Sequence, residues 1–317
     1  MSKEKIGGVV LPLVTPFYKD TEEVNYEALG ALIDFVIENG AHGVIPCGST
    51  GELVSMTLEE QLAVNEFTIR HVAGRIKVYA CSGAYRTSDA VMLSKAAEKA
   101  GADGVMVVTP WYISPNEREI RVHYKTIREA ISIPLILYHN PYLTGCHVSA
   151  ECIARLYNEG IIDAVKDSDH DIYRHQTMRA MTDENFSIFY GYDNCPAEAL
   201  AFYADGWITG VGTMFPAETV HLYELAKAHK IEEAKEFSMR RIRPYLHFFN
   251  DPSPEGLPSQ WLATIKEGLT MRGVPVGVPR KPILPLSKGT RAELTQLLKD
   301  YGYYAPADIY DPTDGEF

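Results

Sequence analysis

Basic residues are in short supply in this chain. Its 317 residues include 30 lysines and arginines against 42 acids, a formal net charge of −12. Binding to nucleic acid or to an anionic membrane needs basic patches, so neither partner is expected. No apolar run reaches the roughly 18 residues that cross a bilayer. Residues 1–5 lead straight into a strand-like run with no secretory cleavage site, so a cytoplasmic protein is expected. Cysteine is scarce: Cys47, Cys81, Cys146, Cys152 and Cys195 are odd in number and scattered, with no paired zinc-ligand spacing. They read as free thiols in a reducing compartment. The histidines form no HxH or HExxH pattern, which leaves a metal site without support. The turn after the first apolar run, Thr15-Pro16-Phe17, has no glycine, against a dinucleotide-binding turn. Neither metal nor cofactor is called for.

What is present is ordinary globular material, 46% hydrophobic and 23% charged. Short apolar runs begin near residues 6, 43, 76, 104, 134, 161, 186 and 207, each followed by a stretch of helical periodicity. Helix starts are marked at Asn25, at Thr57 with Glu60 in capping-box position, and at Thr87 or Ser88. Eight β-α units in about 220 residues is the pattern of a (β/α)8 TIM barrel. Beyond the eighth unit the chain reads as helices only. The expected division is a catalytic barrel over 1–225, a C-terminal helical module over 226–304 and an acidic tail over 305–317.

In such a barrel, reactive residues lie where the strands end. The sixth run, Ile161-Ile162-Asp163-Ala164-Val165-Lys166, ends in a lysine. Partial burial disfavours the ammonium, and a neutral lysine is a nucleophile toward carbonyl carbon; the competing use of Lys166 is an ion pair with Asp167, Asp169 or another barrel-rim carboxylate. Tyr138 ends the fifth run. Gly48-Ser49-Thr50-Gly51-Glu52 follows the second, where small residues let backbone N–H groups and two hydroxyls approach a carboxylate. Glu52 itself reads as a capping or ion-pairing residue. Trp111 and Tyr112 follow the fourth run, Asp193 and Asn194 the seventh, Gly210 and Gly212 the eighth.

Four motifs, Gly-Ser-Thr-Gly-Glu at 48–52, Thr109-Pro110-Trp111-Tyr112, Tyr138-His139-Asn140-Pro141 and Val165-Lys166-Asp167-Ser168, arrive in order on strands two, four, five and six of the barrel. In this the chain resembles the dihydrodipicolinate synthase / N-acetylneuraminate lyase family across nearly its whole length. The resemblance implies a class I, Schiff-base lyase acting on pyruvate or a 2-oxo acid that yields it. It implies Lys166 as the imine-forming lysine and Tyr138 as the tyrosine that orients substrate and shuttles protons. Thr50 would link Tyr138 to a second tyrosine, Tyr112, which reaches across a subunit interface. Ser49 and Thr50 would hold the 2-oxo acid carboxylate, with the Ile208 backbone nearby. It also implies a homotetramer, a dimer of dimers.

Two departures bear on the substrate. Synthases of this family carry an arginine at the position of Leu143, where it grips the carboxylate of the aldehyde; leucine offers no charge-assisted bond. Gly191-Tyr192-Asp193-Asn194 is similar to the Gly-Tyr-Asp-Glu of sialic acid lyases, where acidic groups bind sugar hydroxyls, although Asn194 replaces the glutamate and Gly210 a serine. The expected function is therefore an aldolase or dehydratase of a sugar-derived 2-oxo-3-deoxy acid. One alternative is a dihydrodipicolinate synthase (4-hydroxy-tetrahydrodipicolinate synthase) that recognises aspartate semialdehyde through Tyr142 or His139. The alternative from another class is a non-catalytic barrel that binds a 2-oxo acid.

Overall fold

Short runs of aliphatic and β-branched residues form eight strands: β1 (Gly8–Pro12), β2 (Gly43–Ile45), β3 (Lys77–Cys81), β4 (Gly104–Val108), β5 (Leu135–His139), β6 (Ala164–Asp167), β7 (Ser187–Tyr190) and β8 (Gly206–Ile208). Neighbours pair in parallel in chain order and β8 closes onto β1, making a closed barrel with helices between the strands. This is the expected (β/α)8 architecture. The structure is a computed structural model that describes residues 5–254, 256 and 258–305; of the expected acidic tail, residues 306–317 lie outside the described residues. Among the described residues, no helix is long and apolar enough to cross a membrane.

Local signals explain most boundaries. Asn25 caps the helix Tyr26–Glu38 by accepting from the Ala28 N–H at 3.0 Å. Thr57 and Glu60 form the anticipated capping box on Leu58–Val72. Two expectations shift. The helix Thr87–Ala100 is preceded by Arg86 with no side-chain cap, because the Thr87 hydroxyl is bonded to His123 Nδ1 at 2.9 Å. The sixth strand starts at Ala164 rather than Ile161. Gly160, at φ 70°, turns the chain there, and Ile161 and Ile162 enter the core as loop residues before pairing begins.

Alternation along the strands divides the core in two. Met106, Val108, Ile136, Tyr138, Ala164, Phe189 and Ile208 belong to one apolar cluster; Val105, Val107, Leu135, Leu137, Val165 and Ile188 belong to another, packed under the helices. Lys166, two residues after Ala164, takes the lumenal face, and Asp167, two after Val165, takes the helix face.

At the opposite end of the barrel a side chain just before each even-numbered strand clasps the strand before it. His42 Nδ1 accepts from Val9 N at 3.0 Å, Asp103 from Val78 N at 2.9 Å, Asp163 from Leu135 N at 2.8 Å and Asp205 from Ile188 N at 2.8 Å. The three aspartates also pair with Lys77, Arg128 and Arg179, respectively. Burial holds the His42 imidazole below its usual pKa, which preserves its acceptor nitrogen.

After β8 the described residues form helices without further strands, among them Gly210–Met214, Pro216–Lys227, Arg243–Asn250, Trp261–Met271 and Lys288–Asp300. Trp261–Met271 is buried from Leu262 through Leu269, and that stretch includes Lys266 and Glu267.

Asp163→Ala removes the acceptor for Leu135 N–H and the partner of Arg128 at once. It should destabilise the protein by about 2–3 kcal/mol, read as a melting-temperature drop of about 5 °C in scanning calorimetry. Reaction with substrate at the far end of the barrel should be unchanged.

Candidate active site

Lys166 and Tyr138 meet because the β5–β6 register sets their Cα positions opposite each other, with Phe189 of β7 on the other side of Lys166. Both side chains are buried. The Lys166 ammonium stands 3.9 Å from the centre of the Tyr138 ring. Burial alone would raise the Tyr138 pKa. The Lys166 charge and hydrogen bonds from Asn140, Ser49 and Lys166 outweigh it and hold the phenol below its ordinary range. Asn140 donates its amide to Tyr138 Oη at 3.0 Å, and its carbonyl caps the next turn at Leu143 N, 3.1 Å away.

The Lys166 stem passes where a side chain on residue 191 would be. A Cβ on Gly191 would overlap the Ser168 hydroxyl and lie 2.8 Å from Lys166 Cγ, so only glycine fits beside the lysine. Of the carboxylates that could have paired with Lys166, Asp167 and Asp169 pair with Arg174 instead. Asp167 is fully buried on the helix face, bonded to His139 Nδ1 at 2.7 Å and to Arg174 Nε at 3.1 Å.

The turn after β2 brings Ser49 to Tyr138 and buries Thr50. It enters and leaves the left-handed region at two non-glycine residues, Cys47 (φ 56°) and Glu52 (φ 62°). The main-chain N–H groups of Ser49 and Thr50 bond to no described residue, so they remain free as donors. Ile208 closes the wall at the end of β8, and Thr50 Oγ1 would lie 3.4 Å from a Cβ on Gly210.

Asp193 lies in the field of Lys166 and accepts from Trp207 Nε1 at 3.2 Å and from Thr209. Burial nevertheless dominates and pushes its carboxyl up to about 6. Asn194 is exposed, and its carbonyl accepts from Asn250 of the C-terminal helices at 2.9 Å.

Two anticipated site residues stand apart. Leu143 is 55% exposed on the short helix Pro141–Thr144 at the rim. Tyr112 is 91% exposed, holds φ 72°, and its hydroxyl bonds to no described residue. Within this chain it does not reach Thr50. The five cysteines are free, four of them buried.

The sequence reading passed over several residues that shape the site. Asn140, an asparagine before proline, carried an N-cap signal. Trp207 and Thr209 gave none, nor did His170, which joins the anticipated Tyr142 to Tyr192 in a rim stack at 4.0 Å and 4.3 Å.

A barrel with a lysine and a phenol side by side in its mouth is the arrangement of a class I, lysine Schiff-base lyase, and the comparisons agree. The chain matches the model of the Dihydrodipicolinate synthetase family over residues 5–301 and belongs to that family. It is 35% identical over 302 residues to the 4-hydroxy-tetrahydrodipicolinate synthase of Caldicellulosiruptor bescii, covering 95% of this chain and 98% of the relative. Among solved structures it is similar to dihydrodipicolinate synthase from Aquifex aeolicus, with TM-score 0.85, 32% identity and coverage of 94% and 99%. It is also similar to YagE, a prophage protein of the dihydrodipicolinic acid synthase family from E. coli K12 in complex with pyruvate, with TM-score 0.86, 25% identity and coverage of 94% and 99%. The chain is thus an enzyme, a Schiff-base lyase, and the non-catalytic alternative gives way. For the substrate, the relatives' names support the synthase alternative over the sugar-acid expectation.

Between pH 4 and 6 an unfolded chain releases the Asp193 proton that the folded chain retains, so this group costs stability as pH rises through that window. Asp193→Asn should therefore raise stability at pH 7.5 by about 2 kcal/mol, with the difference vanishing below about pH 4. Chemical denaturation at the two pH values measures it.

Proposed function

We propose that Lys166 forms an imine with pyruvate and that the enzyme condenses this with aspartate semialdehyde, as a 4-hydroxy-tetrahydrodipicolinate synthase does. The observation that carries the chemistry is the registered Lys166–Tyr138 pair, with the phenol oxygen held by lysine, serine and asparagine donors. The neutral Lys166 amine adds to the keto carbon of pyruvate, and Tyr138 passes the protons that let water leave. The resulting iminium draws electrons from C3, so a C3 proton is lost without a metal. The enamine carbon then attacks the aldehyde, whose oxygen takes up a proton, and the amine of the semialdehyde adds to the imine carbon and displaces Lys166 as the ring closes, so that the water lost on imine formation is the one water released. Thr50 supplies its hydroxyl, and Ser49 and Thr50 their free N–H groups, for the pyruvate carboxylate.

The names of the relatives support this second substrate. Of the two groups offered for its carboxylate, His139 is ruled out by its burial and its bond to Asp167. Tyr142, exposed at the mouth and stacked on His170, remains. One observation favours a second reading, an aldolase or dehydratase of a sugar-derived 2-oxo-3-deoxy acid. Leu143 offers a carboxylate nothing, whereas Asp193 and Asn194 offer hydroxyl partners.

Borohydride reduction with pyruvate should add mass at Lys166; an unmodified protein, or label on another lysine, refutes the imine. Tyr138→Phe should lower turnover roughly 10²- to 10⁴-fold. The measurement that separates the two readings is kcat/KM for semialdehyde condensation against a panel of 2-oxo-3-deoxy acids. A higher value for any sugar acid assigns the second reading, and Leu143→Arg should then weaken that activity.

We also infer a cytoplasmic homotetramer, a dimer of dimers in which Tyr112 completes a neighbouring site. An aromatic residue held at positive φ yet open to solvent is conformationally costly, and an outside contact would explain its retention. Mixing Tyr112→Phe subunits with Lys166→Ala subunits should restore part of the activity lost in each. No recovery, or a fully active monomer in light scattering, refutes the shared site.

A further inference from the structure

Glu52 closes the turn that carries Ser49 and Thr50, and it does not face solvent. Its side chain is 4% exposed and pairs at 2.5 Å with Lys266, whose side chain is fully buried. The other Glu52 oxygen accepts from the Arg280 main-chain N–H at 2.8 Å. Lys266 donates to the Val278 carbonyl at 3.0 Å and lies 4.5 Å from the centre of the Phe17 ring, which Arg280 covers at 4.0 Å. The Arg280 guanidinium in turn bonds both oxygens of Glu60, at 2.5 and 2.8 Å. One cation and one main-chain N–H from the C-terminal part of the chain therefore hold one turn of the barrel mouth.

Stability is a poor reason for such a pair. Removing two charges from water is costly, and well-packed apolar residues at such places are often as good or better. Its location is more informative. Glu52 and Cys47 hold the turn in the left-handed region without glycine, a conformation that persists only where the surroundings impose it. Gly51 admits no side chain, since its Cβ would lie 2.9 Å from Cys47 N. The Thr15 hydroxyl fixes the Gly51 carbonyl at 2.7 Å. Ile265, beside Lys266 on the same helix, has its Cδ1 3.4 Å from a Cβ on Gly210, the same distance as Thr50 Oγ1.

We infer that the buried Glu52–Lys266 pair is a positioning device through which the C-terminal helices set Ser49 and Thr50 for the carboxylate of the 2-oxo acid. The inference rests on the Schiff-base reading above. It makes Glu52 and Lys266 positioning residues; neither touches substrate. Burial pushes Lys266 down to about 8, and the charged groups around it are Glu52 and Arg280, with Glu60 beyond Arg280. Lys266 therefore loses its charge as pH rises through about 8, and the clamp weakens above it.

The test compares imine trapping by cyanoborohydride with pyruvate and with methyl pyruvate, which keeps the keto group and lacks the carboxylate. Glu52→Gln and the neutral double substitution Glu52→Gln/Lys266→Met, which leaves no unpaired buried charge, should each lower the pyruvate-to-methyl-pyruvate rate ratio about tenfold, the loss of roughly one good hydrogen bond. The methyl pyruvate rate should stay within about twofold, because Lys166 is untouched. In the wild type the ratio should fall as pH rises through about 8, and in the double variant it should be flat. An unchanged ratio, or two rates that fall together, overturns the positioning role. Wild-type protein that traps no pyruvate at all overturns the Schiff-base reading and this inference with it.

Discussion

One ammonium and one phenol, kept together inside a barrel lined with carbon, set the terms for the rest of the mouth. Desolvation works against charge on the phenol, and the lysine beside it more than offsets that penalty. The β5–β6 register delivers them to the same height, and three hydrogen-bond donors converge on the phenol oxygen. Around them the packing has little slack: glycine at 191 clears the lysine stem, and Asp167 is drawn to the opposite face by His139 and Arg174. Had Asp167 shared the lumen, Lys166 would have been held as a spectator cation.

How much of this could be read from the sequence follows from the range of each signal. The strands announced themselves because a barrel strand is a short apolar run between turn residues, and eight such runs admit few architectures. Lys166 and Tyr138 were legible because each interrupts or ends such a run. The Thr57–Glu60 capping box needs only four consecutive residues. Lys266 was not legible: a lysine is seldom fully buried, and its partner lies more than two hundred residues earlier. Thr87 misled for a similar reason, because His123 claims its hydroxyl from another helix. The start of β6 shifted because pairing partners, rather than the apolar run, decide where a ladder begins.

The substrate question divides along the same line. The Schiff-base chemistry belongs to residues at the strand ends, which the fold fixes, and there the family and the geometry agree. The rim groups stand outside that framework: Tyr142 and Leu143 on the short helix after β5, His170 after β6, and Tyr192 and Asn194 after β7. Loops vary without disturbing the barrel, so one scaffold can keep its imine chemistry while exchanging the groups that meet the aldehyde. His139 illustrates the limit of reading adjacent residues together: it follows Tyr138 directly, yet the pleat sends it to the other side of the wall.

The four clasps at the far end of the barrel carry a consequence of their own. Each fastens an odd strand to the even strand that follows, and the pattern meets itself without a mismatch on going once around the ring. Only a ring with an even number of strands can be tiled this way, since an odd count would leave two like strands side by side at the seam. His42 shows that the tile requires an acceptor lone pair rather than a negative charge. Parity, imposed by one repeated hydrogen bond, is thus a constraint on closure that acts alongside the alternate-strand layering of the lumen.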